Sequence, residues 1–317
     1  SSGAINLGRK ILNLNDSELT LEQEQAAASV GQIELSKEYQ EHFKKKGLIC
    51  SQVLITLDDF TNRRRYLNCK STLKTLLKFG VIPIVNENDT VATDEIRYGD
   101  NDRLAAQVAS ICESDLLILL SDIDGLYSES PKKSKNAVHI PFINEITEEI
   151  ELMAEGPEND FSHGGMKTKI EAAKVTTSVG CNLIIANGQN RNPINNISKM
   201  KATWFLASQS VKAARKKWIL NMKSQGEIVI DFKAEKALKS GNSLLPVGVK
   251  KCIGSFTRGD VVTVKGEDGQ IIAKGLVSFN QIETEKKLGL KSEEISGSLG
   301  YNRKPELIHR DNMAFFS

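Results

Sequence analysis

Strand-like and helix-like patterns alternate along most of this chain. Residues 47–56 (GLICSQVLIT) form an apolar run rich in aliphatic side chains and predict a strand. Residues 71–79 predict a helix that Gly80 closes. Residues 81–85 predict a second strand, and Pro83 places it near a sheet edge because proline has no N–H to give a ladder. Leu104, Val108 and Ile111 recur at i, i+4 and i+7, so 102–111 predicts an amphipathic helix. The continuous apolar run 115–120 predicts a strand buried on both faces. A helix over 167–179 and a short strand over 182–186 follow. Strand, helix, strand in repeated order argues for an α/β domain, a parallel sheet sandwiched by helices.

After residue 223 the pattern changes to short strands, at 227–231, 261–264 and 271–277. Gly254, Gly259, Gly266, Gly269 and Gly275 punctuate them, and Asp268-Gly269 between two runs is a hairpin signal. These residues predict a small all-β, barrel-like module. The basic, Trp-containing stretch 212–223 reads as a linker, which gives domains over 1–222 and 223–317. A chain of 317 residues is long enough for both.

Composition changes this picture little. With 40% hydrophobic and 26% charged residues, the chain can bury a core. A formal charge of +2 gives no general affinity for polyanions. Cys50, Cys69, Cys112, Cys181 and Cys252 fall at no metal-ligand or CxxC spacing. Cys112 and Cys181 sit beside apolar runs and read as core thiols. Such a set fits a reducing compartment, so the protein is expected to be cytoplasmic. No apolar run is long enough to cross a bilayer, and no membrane association is expected. The opening Ser1-Ser2-Gly3-Ala4-Ile5 reads like the end of a strand entering a glycine turn, so the first strand of the sheet is expected to be missing.

Candidate chemistry gathers at strand ends, where open α/β sheets bind ligands. Asn86-Glu87-Asn88-Asp89, Ser121-Asp122 with Asp124-Gly125, Asn187-Gly188 and Ser1-Ser2-Gly3 each follow a strand. Any one strand end turns polar simply because loops are solvated. Their convergence carries the weight. In Gly99-Asp100-Asn101-Asp102 one Asx residue suffices to cap the following helix. The surplus could bind a substrate amine, orient lysines or hold a metal. Gly164-Gly165-Met166-Lys167-Thr168-Lys169 joins two glycines to a helix start with lysines in its first turn. Cations there oppose the helix dipole, which suggests an anion such as phosphate. The plainer alternative is a loop-to-helix junction with solvated lysines. The GxxxxGK[ST] spacing is absent, so this is not a P-loop. His42, His139, His163 and His309 show no metal spacing, and no metal ligands are assigned. His163 could touch a nucleotide. Ser1 and Ser2 have no His/Asp partners that would suggest a hydrolase triad.

SSGAI, VNEND with the downstream GDND, SDIDGLY and GGMKTK, in this order, resemble the amino acid kinase family. GEIVID, SLLPVGV, the G-x-F-x-R-G-D pattern and HRDNM resemble a C-terminal PUA domain. The resemblance covers essentially the whole chain. It implies an ATP-dependent kinase that phosphorylates the side-chain carboxylate of L-glutamate to γ-glutamyl phosphate, the first step of proline biosynthesis, with ATP and Mg²⁺ as cofactors. By the same resemblance Ser2, Asp89 and Asn101 contact glutamate. Ser121 and Asp122 lie beside the nucleotide, and His163, Gly164, Gly165, Met166, Lys167, Thr168 and Lys169 form its glycine loop. Lys169 is also catalytic, and Asp102 organises the catalytic lysines.

Implied partners are a second copy of the chain, a γ-glutamyl phosphate reductase that receives the product, and RNA at the PUA-like domain. Two departures stand out. The family's first strand ends in a K-x-G-[ST] turn whose lysine holds the transferring phosphate, and no such turn follows a strand before Ser1-Ser2. A chain without it is expected to show weak or no activity. Ser162-His163 stands where the family has Gly-Thr, so nucleotide contacts there are expected to differ. Other amino acid kinases, acting on aspartate, acetylglutamate or a nucleotide, are disfavoured by the PUA-like tail. The alternative from another class is an RNA-binding or regulatory protein built on an inactive kinase fold.

Overall fold

Glycines and alanines let the first two helices touch. In this computed structural model, which describes residues 1–14, 19–56, 58–91, 101–131, 134–154, 165–289 and 306–316, α1 (Ala4–Ile11) packs on α2 (Leu21–Lys44). A Cβ on Gly8 would lie 1.7 Å from the Ala27 carbonyl oxygen, and one on Gly31 1.8 Å from that of Ala4. Backbone meets backbone at both places. Thr20 starts α2 with a capping box: it accepts from the Gln23 N–H, and the Gln23 side chain accepts from the Thr20 N–H.

The elements that follow are β1 (Cys50–Ile55), α3 (Asp58–Thr61), α4 (Arg63–Lys78), β2 (Ile82–Glu87), α5 (Asp102–Cys112) and β3 (Leu116–Ser121). Short strands β4 (Leu126–Tyr127), β5 (His139–Ile140) and β6 (Phe142–Ile143) come next. Then α6 (Glu148–Ala154), α7 (Met166–Ser178), β7 (Asn182–Asn187), α8 (Pro193–Asn196) and β8 (Ala202–Phe205) complete a first unit, Ser1–Val211. The helix expected over 71–79 begins earlier, because the Asn62 side chain caps the N–H groups of Arg64 and Arg65.

β1 pairs with β2 in parallel, and a second sheet runs in the order β3-β7-β8-β6. Pairing is parallel at β3–β7 and β6–β8 and antiparallel at β7–β8. Only the four-residue helix α8 lies between β7 and β8, and the chain turns back along its neighbour. Leu183 and Ile185 of β7 face a core with Leu119, Ile170 and Phe205, while Ile184 and Ala186 pack on the other face with Ala202. β3 differs from the strand expected to be buried on both faces. Leu119 is buried, but Leu116 and Leu120 are 39% and 45% exposed. β3 is bonded on one edge by β7, and no ladder joins it to β2 among the described residues. A cavity of about 280 Å³ lies there, lined by Ser1, Val85, Asn101, Leu104, Leu116 and Leu117 among others.

The second unit, Lys212–Ser317, takes in most of α9 (Val211–Asn221). It continues with β9 (Gly226–Ile230), α10 (Phe232–Lys239), β10 (Val249–Gly254), β11 (Val261–Lys265), β12 (Ile271–Leu276), α11 (Gln281–Glu285) and β13 (Met313–Phe315). Its sheet runs β10-β9-β11-β12-β13 over a core that includes Ile228, Ile230, Val262, Val264 and Phe279. Asp268-Gly269 makes the expected hairpin between β11 and β12, with Gly269 at φ 81°. The stretch read as a linker is instead the helix α9. Ala214 and Ile219 are buried, Arg215 donates to Asn312, and Lys274 Nζ donates to the carbonyls of Leu220 and Met222 at its C-terminal end.

Candidate active site

Three separate segments meet at the start of α5. Asn101 precedes the helix, and its Nδ2 donates to Asn86 Oδ1 at 3.0 Å and to the Ser1 carbonyl oxygen at 2.5 Å. The Ser1 nitrogen donates to the Val85 carbonyl at 2.7 Å. The opening glycine turn, the carboxyl end of β2 and the start of α5 are thereby held together. Gly3 sits at φ 98°, a backbone that favours glycine, and turns the chain into α1. Asp89 lies two residues beyond β2, half-buried, and burial pushes its carboxyl group above the ordinary value of 3.8. Ser2 is exposed nearby in sequence. No hydrogen bond joins Ser2 or Asp89 to Asn101 among the described residues.

Asp102, the next residue, ties α5 to α7. Its Oδ2 accepts from Lys169 Nζ at 2.9 Å and from Thr168 Oγ1 at 3.2 Å. Lys169 is 5% exposed, so this is a nearly dry ion pair. Gly165 provides the N-cap of α7 in extended conformation, with no acidic residue in the first turn. Among the described residues, a Cβ added to Gly165 would meet nothing within 4 Å. Met166 is half-buried and Lys167 exposed. Small residues bring the two helices close, as Ala106 and Ala173 are both fully buried. The Arg103–Glu171 pair on the outside is exposed enough to contribute little.

Ser121 ends β3, and its hydroxyl donates to Asp122 Oδ1 at 3.0 Å. The Asn187 side chain reaches the Asp122 carbonyl and the Gly188 N–H bonds the Ser121 carbonyl, which fastens the ends of β3 and β7. The fit at Gly188 is tight, since a Cβ would sit 3.0 Å from that of Leu120. Further on, the Tyr127 hydroxyl donates to Asp124. His163 and Gly164, like Ser162, Gly99 and Asp100, lie outside the described residues. Among the described residues no group of three His, Cys, Asp or Glu side chains is placed to hold a metal ion.

Sequence reasoning passed over two site-forming residues, Asn86 and Gln32. Asn86 was visible only as one polar residue in VNEND. Gln32 follows Ala27, Ala28 and Gly31 on the buried face of α2, and a lone long amide on a stripe of small residues was the signal available.

The amino acid kinase family matches residues 2–187, and the PUA domain matches residues 226–299. A glutamate 5-kinase from Paracoccus denitrificans is 51% identical over 314 residues, 99% of this chain and 85% of that protein. One from Roseobacter denitrificans is 51% identical over 315 residues, 99% of this chain and 84% of that protein. One from Brucella ovis is 49% identical, again over 99% of this chain and 83% of that protein.

Proposed function

The chain belongs to the amino acid kinase family and, within it, to the glutamate 5-kinases, and from that membership we propose how its residues divide the work. The reaction is ATP-dependent phosphorylation of the glutamate side-chain carboxylate. A carboxylate oxygen forms a bond to the γ-phosphorus, the bond to the β-phosphate oxygen breaks, and γ-glutamyl phosphate and ADP result. No protein nucleophile is required, so the protein's part is positioning and electrostatics.

The observation that carries the assignment of roles is the buried Lys169–Asp102 pair beside Asn101. Lys169 balances the charge spread over the transferring phosphoryl group. Asp102 fixes the direction of that ammonium, and Thr168, bonded to the same carboxylate oxygen, steadies it. Thr168 thus acts through Asp102 as well as in the nucleotide loop. Gly165, Met166 and Lys167 cradle the phosphates at the start of α7, joined by His163 and Gly164. Ser121 and Asp122 border the nucleotide at the end of β3. Ser2, Asp89 and Asn101 hold glutamate, with Asp89 and Asn101 taking its ammonium.

Asp102 is already engaged by Lys169 and Thr168, which fits a magnesium ion liganded chiefly by phosphate and water. Mg²⁺, when bound with ATP, neutralises phosphate charge. The product is a labile acyl phosphate, which favours transfer to a γ-glutamyl phosphate reductase in proline biosynthesis. A homo-oligomer in the cytoplasm completes the reading, with RNA as a ligand proposed for the PUA domain. An RNA-binding protein on an inactive kinase fold is the weaker alternative, because the Lys169–Asp102 pair is in place. Trapping the product with hydroxylamine tests the proposal. Glutamate- and ATP-dependent hydroxamate is expected, and its loss in Asn101→Ala at low but not saturating glutamate. Absence of hydroxamate with both substrates saturating, in a chain that carries the family's K-x-G-[ST] strand ahead of Ser1, refutes it.

A further inference from the structure

A chain of side-chain amides runs from the start of α5 back into α2. Asn86 Nδ2 donates to Gln32 Oε1 at 2.6 Å. Gln32 Nε2 donates to Ser36 Oγ at 3.3 Å, and Gln52 Nε2 reaches the same hydroxyl at 2.9 Å. Asn86 and Gln32 are 3% and 7% exposed, so bulk water does not compete for these bonds.

The direction of the chain follows from one fixed point. The Ser1 carbonyl oxygen only accepts, so the Asn101 atom facing it is the nitrogen. That nitrogen also bonds Asn86, which must turn its oxygen toward Asn101 and its own nitrogen toward Gln32. Both Asn101 protons are then used. Its Oδ1, an acceptor, is the amide atom left for a ligand. An acceptor suits an ammonium and repels a carboxylate.

We propose that Gln32 is a positioning residue for the acceptor substrate: by accepting from Asn86 it holds the Asn101 amide with its oxygen turned to the α-ammonium of glutamate. This rests on the reading that Asn101 contacts glutamate. Without the Gln32 acceptor, Asn86 no longer has its oxygen held toward Asn101, and the Asn101 amide keeps only the Ser1 carbonyl as a fixed acceptor. Its Oδ1 is then no longer fixed toward the ammonium.

The test compares glutamate with glutarate, which lacks the α-amine, by calorimetric binding and by steady-state kinetics at saturating ATP. Gln32→Met is expected to reduce the preference for glutamate over glutarate by about tenfold or more, the loss of one hydrogen bond to a charged group. Its KM for glutamate rises while its KM for ATP stays within about twofold of the parent. Gln32→Glu keeps an acceptor for Asn86 and retains the preference within about threefold. An equal loss of glutamate and glutarate binding in Gln32→Met, no change in either, or a lost preference in Gln32→Glu overturns the proposal. The last comparison stands even if Gln32→Met does not fold. Asn101→Ala separates the two layers. If it leaves the preference intact, the substrate role of Asn101 falls. If it removes the preference and Gln32→Met does not, only the relay falls.

Discussion

Replacing Lys169 with methionine removes one ammonium and leaves the packing volume nearly unchanged. The Lys169 and Asp102 side chains are 6% and 14% exposed, and their atoms are 2.9 Å apart. Removing one member of a buried pair costs about 3–5 kcal/mol, because the other charge loses a compensating neighbour. Asp102 keeps Thr168 and some contact with water, so the lower end, about 3 kcal/mol, applies. For a unit of this size about 1 kcal/mol moves Tm by roughly 2–4 °C, so melting should fall by roughly 6–12 °C. Hydroxamate formation should fall by about 10²–10³ or more, the scale seen when a single stabilising donor is lost. The double variant Lys169→Met/Asp102→Asn separates the two effects. Differential scanning calorimetry should show most of the lost stability restored, while the trapping assay stays silent. A single variant that melts like its parent, or a double variant no more stable than the single, refutes the argument.

Three further outcomes follow from named contacts. Asp89 titrates above 3.8 in the folded protein, so its ionised form opposes folding once the pH exceeds that value. Asp89→Asn should therefore melt higher than the parent at pH 7, with the gain vanishing as the pH falls below 3.8, and its KM for glutamate should rise about tenfold or more. Gly8→Ala drives a methyl into the Ala27 carbonyl, and urea unfolding should show a loss of about 3 kcal/mol, the upper end for overpacking. The Cys181 thiol is pushed up to about 11 by burial and by Asp115, so mass spectrometry after brief iodoacetamide treatment at pH 7.5 should find it unlabelled.

The strands were legible because β3 and β7 are apolar runs that turn polar at their carboxyl ends, and β1 is apolar apart from Ser51 and Gln52. Strand direction was less so. The order of elements along the chain suggests a parallel sheet, yet β8 lies antiparallel to β7, and nothing local in 202–205 announces it. The α1–α2 pair was hidden for another reason. Its contact is made by Gly8, Ala27 and Gly31, which are buried because they are small and leave little apolar signal. In α9 the opposite error occurred, since abundant lysine masked the two buried positions Ala214 and Ile219. At the site, Lys169 stood out by its place after two glycines, but its partner lies 67 residues away, and only the folded chain shows them paired.

Asn101 and Asp102 are consecutive residues, one bonded to Asn86 and the other to Lys169, and on the proposed roles one serves the acceptor and the other the phosphoryl group. They share a peptide unit and one helix end, so neither can be moved alone. An engineer or a lineage that retunes this kinase for another acceptor by shifting the start of α5 also detunes the transfer step. New specificity is reached more readily by changing side chains around a fixed helix end than by remodelling the loop that leads into it. Diversification at this site is confined to the residues that surround the pair.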